Sequence, residues 1–177
     1  MKKKNQTAAK AALAGMLTAL SIAVLFMGYA TGILDLTALA ITSVFSAIAV
    51  VELGGAYPYM IWAAASLIGF IFLPDKSLAA GYLLFGGIYP VLKLYFERLG
   101  RFAEWAAKLA YGAAVLVLLY LLSRFVLSIP QESGWLALAL AISYAAFFVI
   151  YDYALTAAIT LYMRKLRSKL TFLKRLK

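Results

Sequence analysis

The stretch 77-SLAAGYLLFGGIYPVLKL-94, entered through Pro74-Asp75-Lys76, decides how the rest of the chain is read. It is apolar enough to cross a bilayer, yet it carries Gly86-Gly87 and then Pro90 near its middle. A helical proline lacks an N–H and crowds the carbonyl four residues back, here that of Gly86, so a kink is expected at Gly86-Gly87/Pro90. In lipid such a break is tolerated only against protein or a wet cavity. Interrupted helices near the midplane mark binding sites. The plainer reading is a proline kink packed on a neighbour, because Gly and Pro are frequent in membrane helices.

Composition supports the same reading. The chain has 177 residues, 66% hydrophobic and only 14% charged, and its mean hydropathy is +0.92. Soluble domains run at about half apolar and a quarter charged. We therefore expect an all-α integral membrane protein: a single six-helix transmembrane domain over residues 1–177. The spans are about 11–29, 36–53, 57–73, 77–97, 104–126 and 135–163, with a basic C-terminal tail at 164–177. The Met1-Lys2-Lys3-Lys4 start imitates a signal peptide, but the apolar run from Ala11 to Gly28 is long for one and reads as a retained helix.

The net charge of +10 comes from 17 Lys+Arg against 7 Asp+Glu. Because these charges cluster at span ends, they point to topology and anionic lipid at the basic termini, and no nucleic-acid partner is expected. With the N-terminus inside, fifteen of the 17 basic residues fall on inner segments and only Lys76 and Arg124 on outer ones. Both termini are therefore expected in the cytoplasm, with the protein in a plasma membrane.

Several chemistries are closed off. The chain has no Cys and no His, so disulfides, thiolates, zinc–imidazole sites and Ser–His hydrolysis are excluded. No phosphate loop or dinucleotide fingerprint is present, so the chain cannot power transport itself. No cofactor, metal site or catalytic residue is expected, and an Asp-based membrane enzyme would want several convergent carboxylates where only Asp152 lies deep.

Asp152, within Val149-Ile150-Tyr151-Asp152-Tyr153, is the most informative single residue. It stands twelve positions before Arg164, about 18 Å along a helix and so near the midplane. A carboxylate there must be paired, hydrogen-bonded or neutral. Lys93, just after Pro90, is its expected partner, with Tyr89, Tyr151 and Tyr153 as alternative donors; the readings are a structural brace or a ligand or proton site. On the inner edge, Glu104 and Lys108 are spaced to pair at i,i+4. On the outer face, Asp35, Asp75, Lys76, Tyr82, Arg124, Glu132 and Trp135 gather at loop or span ends. Of these, Asp35, Asp75, Lys76, Tyr82 and Arg124, with Tyr89 and Asp152, form the candidate ligand-binding set, as a mouth for a small polar ligand.

Span 1 carries small residues at four-residue spacing: Ala11, Gly15, Ala19 and Ala23. They share one helix face and form a nearly flat stripe that admits another helix closely, either from this chain or from a partner.

This ladder, Ala11-x-x-x-Gly15-x-x-x-Ala19, is similar to the Ala-x-x-x-Ala pattern in the first helix of S components of energy-coupling factor (ECF) transporters. The basic start, six spans and cytoplasmic ends resemble that group over nearly the whole chain. The resemblance implies a bacterial subunit that binds a vitamin or similar micronutrient and docks its first helix on a shared membrane coupling protein. Two separate ATPases would drive it. Members that carry nickel or cobalt rely on an N-terminal His, which this chain lacks, so a metal substrate is not expected. The segments VELGGAYPYM, LPDKS, FGGIYP and YDYAL also look like those of six-span bacterial proteins without an assigned ligand. The competing expectation is a non-transport scaffold, similar in size and span count to the rod-shape membrane protein of cell-wall elongation.

Overall fold

The computed structural model describes residues 2–33, 35–125 and 134–167. Every element among them is helical: α1 (Lys2–Thr31), α2 (Asp35–Glu52), α3 (Tyr57–Phe72), α4 (Lys76–Gly81), a π turn (Tyr82–Gly86), α5 (Tyr89–Phe96), α6 (Arg101–Phe125), α7 (Gly134–Leu161) and a second π turn (Tyr162–Leu166). Five apolar stretches among the described residues are long enough to cross a membrane: Gln6–Thr31, Asp35–Glu52, Lys76–Phe96, Arg101–Leu121 and Leu138–Lys165. The apolar helix Tyr57–Phe72 is shorter. The loop expected at 128–134 lies almost wholly outside the described residues.

The chain divides into two compact units, Met1–Leu92 with Leu155–Lys177, and Lys93–Ala154. In the first, α1 packs along α2 and α3. Leu25, Ala65, Leu73, Leu78 and Tyr82 form one buried cluster, and Leu17, Ala49, Leu53 and Ile61 another. The connections follow from local chemistry. Gly32 takes a positive φ of 64° as α1 ends, the left-handed stop that glycine permits. Gly54 and Gly55 at φ 61° and 56° reverse the chain into α3, a pair of angles that side chains with a Cβ rarely adopt. Pro58 sits in the first turn of α3, where its missing N–H costs nothing.

Two sequence expectations change here. The first helix, expected over about 11–29, begins at Lys2; Lys and Ala are good helix formers and simply extend it. The fourth span departs from α geometry over the π turn and the Gly87-Ile88 turn, which takes in the expected Gly86-Gly87 and leaves Pro90 inside the resumed helix. The Gly87 N–H bonds back to the Tyr82 carbonyl at 2.7 Å, and Pro90 is the second residue of the resumed helix α5, a position that tolerates proline. The extra residue of a π turn leaves a carbonyl without its usual donor, and here Trp62 Nε1 donates to the Leu83 carbonyl at 2.8 Å. Close packing holds the turn in place: a Cβ on Gly86 would sit 3.2 Å from the Leu39 carbonyl, and one on Gly87 2.6 Å from Trp62 Cδ1. Within the basic C-terminal segment, Arg167 Nε pairs with Glu52 Oε1 at 3.0 Å.

In the second unit, α6 and α7 run antiparallel, as their contacts prove. Trp105 meets Tyr153 with ring centroids 5.9 Å apart, and Lys108 meets Asp152. A Cβ on Gly112 would lie 3.4 Å from the Phe148 ring. Positions 105, 108 and 112 share one helix face, and the numbers on α7 fall as those on α6 rise.

Candidate functional site: a buried charge cluster

The second unit holds two lysines and three carboxylates in one connected group. Lys93 Nζ donates to Asp152 Oδ1 and lies 2.9 Å from Glu97 Oε1. Lys108 Nζ donates to Asp152 Oδ2 at 2.8 Å and to Glu104 Oε1 at 2.7 Å, and it stands 3.9 Å from Glu97 Oε1. Lys93, Lys108 and Asp152 are 1%, 2% and 3% exposed. Glu97 and Glu104 form the wetter rim, their side chains 41% and 22% exposed. The Lys108 ammonium also lies over the Trp105 ring, 5.3 Å from its centroid, an attraction that strengthens where water is excluded.

Asp152 therefore has one ammonium on each oxygen. Burying a lone carboxylate is costly, and a bridged one is stable only when its lone pairs are met. The alternation Glu97–Lys93–Asp152–Lys108–Glu104 meets them from three helices. The Glu104–Lys108 pair expected from its i,i+4 spacing forms and is the outer link of this group. Asp152 lies level with Lys93 and Lys108, which stand five residues before Arg98 and seven after Arg101, about 8–11 Å along their helices from that connection.

The remaining candidate residues are not drawn into this cluster. Asp75 caps α4 by accepting from the Ser77 N–H at 2.8 Å. Lys76 Nζ closes the end of α3, donating to the Phe70 and Leu73 carbonyls at 2.6 and 2.8 Å. Tyr82 is fully buried in the π turn, beside the core of α1 and α3. Tyr89 is equally buried and stacks on Phe85, with centroids 5.8 Å apart. Asp35 opens α2, with Oδ1 buried and without a hydrogen-bond partner. Arg124 falls in the last turn of α6; its side chain, like Glu132, lies outside the described residues. Trp135 is exposed at the start of α7. Ala11, Gly15, Ala19 and Ala23 are all exposed, and a Cβ on Gly15 would meet nothing within 4 Å.

Comparison with protein-family models, curated proteins and solved structures finds no match.

Two features escape a sequence reading. The first is Lys108 as the second partner of Asp152. Its signal was present: Lys93–Glu97 and Glu104–Lys108 flank the short Arg98–Gly100 connection at similar distances, so a hairpin brings both lysines to one level. The second is Glu52, whose side chain is 2% exposed and is held by Arg167 and by the Tyr162 hydroxyl at 3.3 Å. These partners lie more than a hundred residues away, and no local pattern announces them.

Proposed function

We propose that the chain is a multi-pass subunit of a bacterial cell membrane that binds a small molecule, a vitamin or similar micronutrient, for uptake. It resembles the S components of ECF transporters and would be energised by separate ATPases through a membrane coupling protein, with no catalysis of its own. The observation that carries this reading is the outward-facing stripe Ala11, Gly15, Ala19 and Ala23 on α1. A small-residue face left open on a membrane helix lets another helix approach closely.

A cytoplasmic position for both termini is supported by the lysine and arginine distribution. It is also supported by packing: Tyr162, near the C-terminal end, contacts Ala9 and Leu13 near the start of α1 and Ile48 and Val51 near the end of α2. Lys2, Lys3, Lys4 and the basic C-terminal segment would then face anionic lipid on that side.

One observation favours a second reading, a non-transport scaffold. Asp75, Lys76, Tyr82, Tyr89 and Asp152 are occupied by caps, core packing or ion pairs, which suits a rigid body better than a ligand mouth. Purification from native membranes in mild detergent, with mass spectrometry of bound proteins and small molecules, separates the two. Recovery of a coupling protein, an ATPase pair and a retained micronutrient is expected. Recovery of cell-wall synthesis proteins and no small molecule would overturn the uptake reading in favour of the scaffold.

A further inference from the structure

The connection between α5 and α6 carries two exposed arginines, Arg98 and Arg101. Glu97 and Glu104 flank them in sequence and would ordinarily neutralise them, Glu104 lying three residues after Arg101 on the same helix face. Both carboxylates turn the other way. Glu97 goes to Lys93 at 2.9 Å and Glu104 to Lys108 at 2.7 Å. Among the described residues neither arginine makes an ion pair, and Arg98 instead lies over the Tyr95 ring, 5.7 Å from its centroid.

The same tip is apolar. Leu99 between the arginines is 48% exposed and Phe102 is 90% exposed. Water is a poor neighbour for Phe102 and hydrocarbon a poor one for a guanidinium. The boundary between headgroups and acyl chains suits both, with each long side chain keeping its charge on the polar side. The tip also lies on the segments that the lysine and arginine count assigns to the cytoplasmic leaflet, where anionic lipids concentrate.

We propose that residues 95–102 form a docking site for an anionic phospholipid headgroup. Arg98 and Arg101 hold the lipid phosphate, which guanidinium forks match bidentately, while Leu99 and Phe102 seat in the acyl boundary. The cluster keeps this site positive: by holding Glu97 on Lys93 and Glu104 on Lys108, it engages the two carboxylates that would compete with the lipid. The inference rests on the helices spanning a membrane and is independent of what the protein transports or holds.

Native mass spectrometry of the full chain, released from vesicles of phosphatidylglycerol and phosphatidylcholine, tests it. Wild type is expected to retain phosphatidylglycerol in preference to phosphatidylcholine. The Arg98→Gln/Arg101→Gln variant should lose that retention about thirtyfold, through removal of two cations at an anionic surface. Arg98→Lys/Arg101→Lys keeps the charge without the fork and should fall between. Lys2→Gln/Lys3→Gln/Lys4→Gln should retain the lipid at this tip. Unchanged phosphatidylglycerol retention in the double Gln variant overturns the proposal, including where that variant loses a protein partner instead. Equal loss of both lipids also overturns it, as does displacement of the lipid by millimolar inorganic phosphate.

Discussion

Lys108 and Asp152, 44 residues apart in sequence, meet at 2.8 Å with both side chains almost wholly buried. Lys93 occupies the other oxygen of the same carboxylate. Asp152 is thus shared between two ammoniums, and the three positions are not equivalent. Removing either lysine leaves Asp152 one ammonium, whereas removing the carboxylate charge takes the buried partner from both lysines at once and leaves each only its glutamate on the wetter rim.

Asp152→Asn is therefore expected to destabilise more than Lys93→Met or Lys108→Met, by about 3–5 kcal/mol, the range for breaking a buried pair. Adding Lys93→Met, Lys108→Met, Glu97→Gln and Glu104→Gln to Asp152→Asn should recover much of the loss, because it leaves no uncompensated charge in the group. Thermal melts in detergent check the order. Strictly additive losses would contradict the shared-carboxylate arrangement. An unchanged melt for Asp152→Asn with lost uptake would give the residue to a ligand or a proton.

Gly87→Ala should destabilise by about 1–3 kcal/mol, the usual cost of overpacking, because its Cβ would fall 2.6 Å from Trp62 and 3.0 Å from the Tyr82 ring. Gly15→Ala, with open space around it, should leave the isolated protein as stable as wild type or slightly more so, since alanine favours the helix. Equal melting temperatures for the two variants would show that the π turn yields freely.

At Glu52 the two partners differ. Arg167→Met leaves a buried carboxylate with only the Tyr162 hydroxyl, while Glu52→Gln leaves a half-exposed guanidinium that water can reach. Arg167→Met should therefore lower the melting temperature more than Glu52→Gln. The reverse order in paired melts would sink the assignment.

Gly15→Leu tests the exposed face of α1. The added bulk has room in the single chain, so the protein should fold normally, yet close helix approach would be blocked. Loss of co-purifying subunits with an unchanged melt is the expected outcome. Full retention of partners would assign this face to lipid.

Much of the architecture could be read from residues alone. Apolar runs of membrane length, glycine pairs at turns and the Lys93–Asp152 pairing all follow from what hydrocarbon will not solvate. Other features could not be read so. Pro90 drew attention to itself, yet the irregularity belongs to Tyr82–Gly86, where the decisive atoms are the Trp62 indole and the α2 backbone, supplied by other helices. Asp75 and Lys76 looked like ligand groups because a sequence does not display the carbonyls and N–H groups they cap. Glu52 needed Arg167, and no periodicity connects the two.

The charge cluster also bears on how such a chain enters a membrane. If these apolar helices cross a membrane in chain order, Lys93 and Lys108 enter it before Asp152 is made. Each lysine has an acid four residues away on its own chain segment, Glu97 for Lys93 and Glu104 for Lys108. These local partners let both lysines wait without a bare charge in hydrocarbon. Asp152 has no acidic or basic neighbour within four residues on α7, so the last helix arrives with a carboxylate whose partners are already in place. Its capture would complete insertion, and a chain halted before residue 152 would remain electrically quiet rather than misfolded.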